Sequence, residues 1–210
     1  MNQRQIAMEA SRRAIIDAAG QQFAAFGYEA TTFSRVAEAM GKPKSAIGYH
    51  LFPSKKDLAT AVIELQQQRW RALFDALPAQ PGIERLTVFL LTTGMDVRRG
   101  SVAGGAVRLL HELGKAGVPV PRGFDWFEMT RGELVSAGVA AADVDAAAVQ
   151  PSVLLLLNTT LGMVDGSTQL TDDELVAQLK ALWAPLFTSF GIAGASEVIA
   201  AAQPYTPATS

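Results

Sequence analysis

Helical periodicity, interrupted by glycine and proline, most limits how this chain can fold. Apolar residues recur at three- and four-residue steps, as in Ile15, Ile16, Ala19, Phe23 and Phe26, which puts them on one face of a helix. No stretch sustains the two-residue alternation of a half-buried strand. The interruptions fall at Gly27, Gly41-Lys42-Pro43, Pro53, Pro78 to Pro81, Gly117 to Pro121, Gly138 and Gly191, residue types that close or break helices. The segments between them have helix length, so the expected fold class is all-α. With 49% hydrophobic and 18% charged residues, the chain can fill a core, which excludes global disorder.

The pattern predicts a first helix over about residues 5–26, closed by Gly27. Thr31 and Thr32 are placed to cap a short second helix over 33–40, with Val36, Ala37 and Met40 facing inward. Gly41 ends it. A third short helix is expected over 44–50, broken by Pro53. Ser54 then caps a long fourth helix, with Asp57 returning a bond as in a capping box. That helix is expected to reach Leu77 and to turn Leu58, Val62, Leu65 and Phe74 inward. Further helices are expected over about 82–98, 102–115, 123–137, 143–164 and 172–189, with Pro185 kinking the last or ending it early. Gly104-Gly105 marks either close helix packing or a kink. The Ala-, Ser-, Thr- and Pro-rich residues from Ala193 on are expected to fray.

A long helix followed by two short ones joined at a glycine turn makes a helix-turn-helix, whose second short helix enters the major groove. Here that helix is Lys44 to His50. Lys42 and Lys44 suit phosphate or guanine acceptors. Ser45, Tyr49 and His50 can hydrogen-bond to phosphate or bases. Thr32 and Lys55, at the starts of the flanking helices, can grip phosphates alongside backbone amides. Charge is distributed accordingly. Residues 1–58 carry eight Lys or Arg against five Asp or Glu, while the remainder carries ten against fifteen. A basic end on an acidic body fits a modular DNA binder better than the overall charge of -2. Taken alone, the periodicity also fits a generic three-helix surface with scattered lysines.

Residues 13–58 resemble the DNA-binding domain of the tetracycline-repressor (TetR) family. The resemblance runs through Arg13-x-x-Ile16-x-Ala18-Ala19, Phe23-x-x-Phe26-Gly27-Tyr28, Thr31-Thr32-x-x-x-Val36-Ala37-x-x-Met40-Gly41 and Tyr49-x-x-Phe52-x-Ser54-Lys55-x-x-Leu58. One departure is visible. The family usually has one residue fewer between the turn glycine and the final phenylalanine than the spacing from Gly41 to Phe52, and its Tyr-x-His-Phe becomes Tyr49-His50-Leu51-Phe52. The register of the recognition helix within 42–50 is therefore open by one residue.

The resemblance implies three parts: a DNA-binding domain over 1–54, a helical ligand-binding and dimerisation domain over 55–192, and a flexible tail over 193–210. It implies a homodimer on a double-stranded operator, released by a small hydrophobic effector. For the dimer, Thr159, Leu175, Leu179, Leu182, Trp183 and Leu186 follow helical spacing, and so does Val153 to Met163. Such faces suit either an interface with a twin or an ordinary intrachain core. For the effector, Trp126 and Phe127 open a helix after Gly117-Val-Pro-Val-Pro121, an arrangement similar to that of actinobacterial γ-butyrolactone receptors, where a tryptophan lies over the lactone. Met95, Leu109 and Asn158 complete the expected pocket. An aromatic stripe also suits plain core. Asn158 and Thr159 interrupt an apolar helix and need partners if buried.

Other functions are poorly supported. With no cysteine, disulfides, thiolate metal sites and cysteine nucleophiles are excluded, and a reducing, cytoplasmic setting suits the chain. The apolar run Val153 to Leu157 is stopped by Asn158, far short of the roughly 20 residues of a membrane span. His50 and His111 lack metal-ligand spacing, and Gly100 to Gly105 lacks the lysine of a phosphate loop. No enzyme, cofactor or metal is expected. A regulator without a ligand, or an activator, would carry the same head.

Overall fold

The computed structural model describes residues 3–43, 45, 47, 51–100, 102–144, 149–166 and 169–206, with backbone alone at 141, 149, 150, 165 and 166. Every regular element among them is a helix: α1 (Gln3–Ala30), α2 (Phe33–Ala39), α3 (Lys55–Ala76), α4 (Ile83–Arg98), α5 (Val102–Lys115), α6 (Trp126–Ser136), α7 (Ala141–Val144), α8 (Val149–Gly166), α9 (Asp172–Ser189) and α10 (Ala195–Ala201). The all-α expectation holds, and the N-terminal helices precede a larger helical body. The expected third short helix, 44–50, lies mostly outside the described residues.

Local chemistry sets the boundaries. α1 is broken at Gly27, whose φ of 76° and ψ of 179° are non-helical. The backbone turns there and continues helically to Ala30. Thr32 caps α2 by accepting the Arg35 N–H at 3.2 Å. Thr31 does not share that role. It is buried and donates back to the Gly27 carbonyl at 2.7 Å. α2 closes as a Schellman motif around Gly41 at φ 63°: the Lys42 N–H reaches the Ala37 carbonyl and the Gly41 N–H reaches that of Glu38, both at 2.9 Å. Ser54 opens α3 by accepting the Asp57 N–H at 3.1 Å. Asp57 answers the Ser54 hydroxyl at 2.6 Å instead of the backbone N–H of a true capping box. α9 has the full box, between Thr171 and Glu174.

The chain forms two compact units. Unit 1 comprises residues 1–70 and 96–123, and unit 2 comprises 71–95 and 124–210. The expected cut after residue 54 is therefore not how the chain packs. The physical reason is core size: the head covers Ile15, Phe23, Val36 and Phe52 only by adding Leu58 and Val62 of α3 and Leu109 of α5. α1 and α5 approach closely enough that a Cβ on Gly105 would collide with the Gly20 carbonyl. Of the two roles open to Gly104-Gly105, close packing is the one the structure shows.

Unit 2 centres on Phe89, packed against Phe74, Phe124 and Trp126 with ring centroids 5.3–5.6 Å away. Elsewhere in it, the Trp183 indole N–H donates to Thr160 Oγ1 at 2.9 Å, joining α9 to α8. Glu133 on α6 is buried and accepts from the Gly82 N–H at 2.8 Å and from Arg85 Nε and Nη2 at 3.1 and 2.5 Å. α9 runs through Pro185 to Ser189 and does not end early. The frayed tail expected from Ala193 is corrected. Residues 195–201 form α10, which buries Ala195 and Ile199, and the Tyr205 N–H bonds Thr92 Oγ1 at 2.8 Å. Its small residues still offer an apolar stripe, and α9 supplies a surface for it.

Candidate nucleic-acid interface and effector site

The segment expected to form the helix-turn-helix is anchored at described positions before and after its turn. Val36 and Ala37 of α2 are buried, and so are Ile47 and Phe52 in the segment that joins α2 to α3. That segment is pinned to the unit 1 core at two points. Thr32, Lys42 and Ser45 are exposed, as direct contact with a ligand requires. Lys44, Tyr49 and His50 lie outside the described residues.

Lys55 is the member of the expected set that is already engaged. Its ammonium donates to the Tyr28 and Glu29 carbonyls at 2.9 and 3.2 Å and lies 4.4 Å above the Tyr28 ring. It closes the carbonyl end of α1, where the helix dipole favours a cation. Sequence reasoning missed Arg35. It is exposed on α2 with its guanidinium 4.4 Å over the Phe26 ring, a cation-π contact that orients a planar donor. No periodicity signals it, because both partners face solvent.

The expected effector residues do not form one group. Trp126 and Phe127 are half-buried at the start of α6, where the Asp125 carboxylate accepts the Phe127 and Glu128 N–H groups at 2.9 and 3.0 Å. Trp126 joins the unit 2 aromatic cluster, 5.1 Å from Phe124. Met95 is buried in the same unit. Leu109 belongs instead to the unit 1 core, and Asn158 is exposed, so neither fits the expected pocket. Asn158 therefore needs no buried partner. The buried polar group of α8 is Thr160, which sequence reasoning passed over. Another missed residue is Gln66. It is 1% exposed, and its Oε1 is enclosed with no donor. Its signal was legible: position 66 continues the buried stripe of Leu58 and Val62. Neighbouring Gln67 uses both ends of its amide, to the Pro121 carbonyl and from the Gly123 N–H, each at 2.8 Å.

The expected dimer residues also divide. Leu175, Leu179 and Trp183 are fully buried within the chain. They form intrachain core and cannot face a twin. Leu182, Leu186 and Thr159 are half-buried. Within α8, Leu154 and Leu155 are apolar and 50% and 58% exposed. No group of three or more His, Asp or Glu among the described residues is arranged to hold a metal ion. No described helix is long and apolar enough to cross a membrane.

Residues 15–62 match the family described as bacterial regulatory proteins, tetR family. No curated protein was found to match. Among solved structures, the chain is similar to a gamma-butyrolactone receptor (ArpA-like protein) at 28% identity and TM-score 0.70, covering 91% of this chain and 95% of that one. It is equally similar to the TetR-family protein CprB from Streptomyces coelicolor A3(2), at 28% identity and TM-score 0.70, with 91% and 96% covered. TylP, a TetR regulator from Streptomyces fradiae, shows 25% identity and TM-score 0.63, with 87% of each chain covered. The matched head, the order of helices and the likeness along most of the chain make this protein similar to transcriptional regulators of the TetR family.

Proposed function

We propose that the protein is a homodimeric, cytoplasmic repressor that leaves its operator when a small hydrophobic effector binds. The observation that carries the DNA-binding part is the exposure of Thr32, Lys42 and Ser45 beside buried Val36, Ile47 and Phe52, inside the segment that matches the family. Residues 1–54, packed on α3 and α5, supply the reading head. Lys44, Tyr49 and His50 join Lys42 and Ser45 at the bases, while Thr32 and Arg35 take phosphates.

The exposed pair Leu154 and Leu155 on α8 supports pairing with a second copy. Two heads reading a two-fold site must sit about one DNA turn apart, roughly 34 Å. The effector part rests on the aromatic cluster around Trp126 and on the likeness to proteins described as gamma-butyrolactone receptors. A lactone would lie against Trp126, Phe127 and Met95. Such a ligand releases DNA by binding the non-DNA-binding dimer more tightly, and a coupling of about 1–3 kcal/mol changes operator affinity roughly 5- to 150-fold.

Fluorescence anisotropy with the protein's own upstream DNA, across a salt series and beside Lys44→Ala, tests this. The expected result is tight, salt-steep binding that weakens in the variant, and release by a butyrolactone. Absence of binding to any DNA at low salt refutes the reading.

A further inference from the structure

The break in α1 exposes two backbone groups that an unbroken helix would join to each other, the Tyr28 N–H and the Ala24 carbonyl. Two residues one turn apart on α5 take them up. Glu112 Oε2 accepts the Tyr28 N–H at 2.6 Å, and Arg108 Nη1 donates to the Ala24 carbonyl at 2.9 Å. The pair is closed on itself by Arg108 Nε and Glu112 Oε1 at 2.8 Å. On its other side, the Tyr28 carbonyl takes the Lys55 ammonium from the first residue of α3. One residue, Tyr28, four positions before the α2 cap, is thus held through its N–H by α5 and through its carbonyl by the start of α3. At Gly27, whose φ is 76°, a Cβ would lie 2.5 Å from Glu112 Oε1 and 2.8 Å from Arg108 Nη2 and would push the pair aside.

From this we infer that Arg108 and Glu112 are positioning residues for DNA binding. They hold the Tyr28–Thr32 turn, and through it α2, in the orientation that reads an operator. The inference rests on the DNA-binding reading above. Displacement of α5 along its axis would pull both bonds together, because both come from one helix face. A charge-assisted pair spanning one turn is short and directional, so it transmits a shift that a purely apolar contact would absorb.

The test uses a duplex enriched by the full-length wild-type protein from a random-sequence pool, and a scrambled duplex of equal composition. Glu112→Ala, Arg108→Ala, the double variant and Glu112→Gln are compared at one salt concentration. Each single alanine variant is expected to weaken binding to the enriched duplex by about 10-fold, within the usual range of coupling between sites. Binding to the scrambled duplex should not change, since the charges facing DNA are intact. The double variant should be no weaker than the weaker single, because the two residues act as one unit. Glu112→Gln still offers an oxygen to the Tyr28 N–H and should stay within about 3-fold of wild type. Deuterium uptake across 28–32 should rise in the alanine variants alone. If Glu112→Ala does not fold, Arg108→Ala decides on the same criteria. Wild-type affinity in the alanine variants overturns the inference, and so does an equal loss on both duplexes or losses that multiply in the double variant. If the wild-type protein enriches no duplex, the DNA-binding reading itself falls, and this inference with it.

Discussion

Replacing Gly105 by alanine sets two effects of opposite sign against each other. An alanine in mid-helix gains roughly 1 kcal/mol over glycine. At this position the added Cβ would collide with the Gly20 carbonyl oxygen, and would lie 2.8 Å from its carbon and 3.0 Å from Gly20 Cα. All three obstacles are backbone, so no rotamer change relieves them. α5 has to move away from α1, loosening the packing of Phe23, Ala106 and Leu109, each 0% exposed. Overpacking of this kind costs about 1–3 kcal/mol and more where backbone shifts, so the clash wins with a net loss of about 2 kcal/mol. For a chain of this size each kcal/mol moves the melting temperature by roughly 2–4 °C, giving a fall of about 4–8 °C. Gly114 on the same helix is the control, because a Cβ there meets nothing within 4 Å. Gly114→Ala should be neutral or raise the midpoint by up to about 3 °C. Far-UV circular dichroism melts at one protein concentration measure both, since self-association would shift apparent stability. A Gly105→Ala protein that melts at or above wild type would refute the reasoning.

Thr160→Val is nearly isosteric but leaves the buried Trp183 indole N–H without its acceptor. Urea unfolding should show a loss of about 1–3 kcal/mol. Glu133→Gln removes the charge that answers Arg85 and is expected to cost about 3 kcal/mol, the lower end for breaking a buried pair, because the Arg85 side chain keeps 25% exposure. An unchanged urea midpoint would show that the pair is not needed. Burial works to raise the Glu112 carboxyl, but the bonds from the Tyr28 N–H and Arg108 outweigh it and hold the group below its ordinary value of 4.5. A depressed carboxyl stabilises the fold above that value and loses its contribution as pH falls below it. Glu112→Gln should therefore flatten the acid limb of a stability-against-pH curve, and an unaltered limb would count against the pairing. Leu154→Glu with Leu155→Glu should convert a dimer to a monomer in sedimentation velocity. A dimer that survives both changes would move the interface elsewhere.

The features legible in the sequence were those governed by neighbours a few residues apart. Three- and four-residue periodicity gave the helices and most of the core face, since Ile15, Val36, Leu58 and Val62 are buried wherever the rest of the chain lies. Thr32, Gly41 and Ser54 named the helix ends because caps and Schellman turns close within six residues. The spacing of these landmarks also carried the TetR resemblance that the family match supports. Tertiary structure alone decided which apolar stripe met which. Leu175, Leu179 and Trp183 have the spacing of an interface but are covered by their own chain, and Leu109 fills the core beside the head instead of a pocket. It also decided the fate of single polar groups. Lys55 turns to the end of α1, Gln66 is enclosed, and Glu112 crosses 84 positions of sequence to reach Tyr28. Helical periodicity reports that a face is buried, and only the packed fold reports against what, because burial free energy is non-directional while contact partners depend on how distant segments meet.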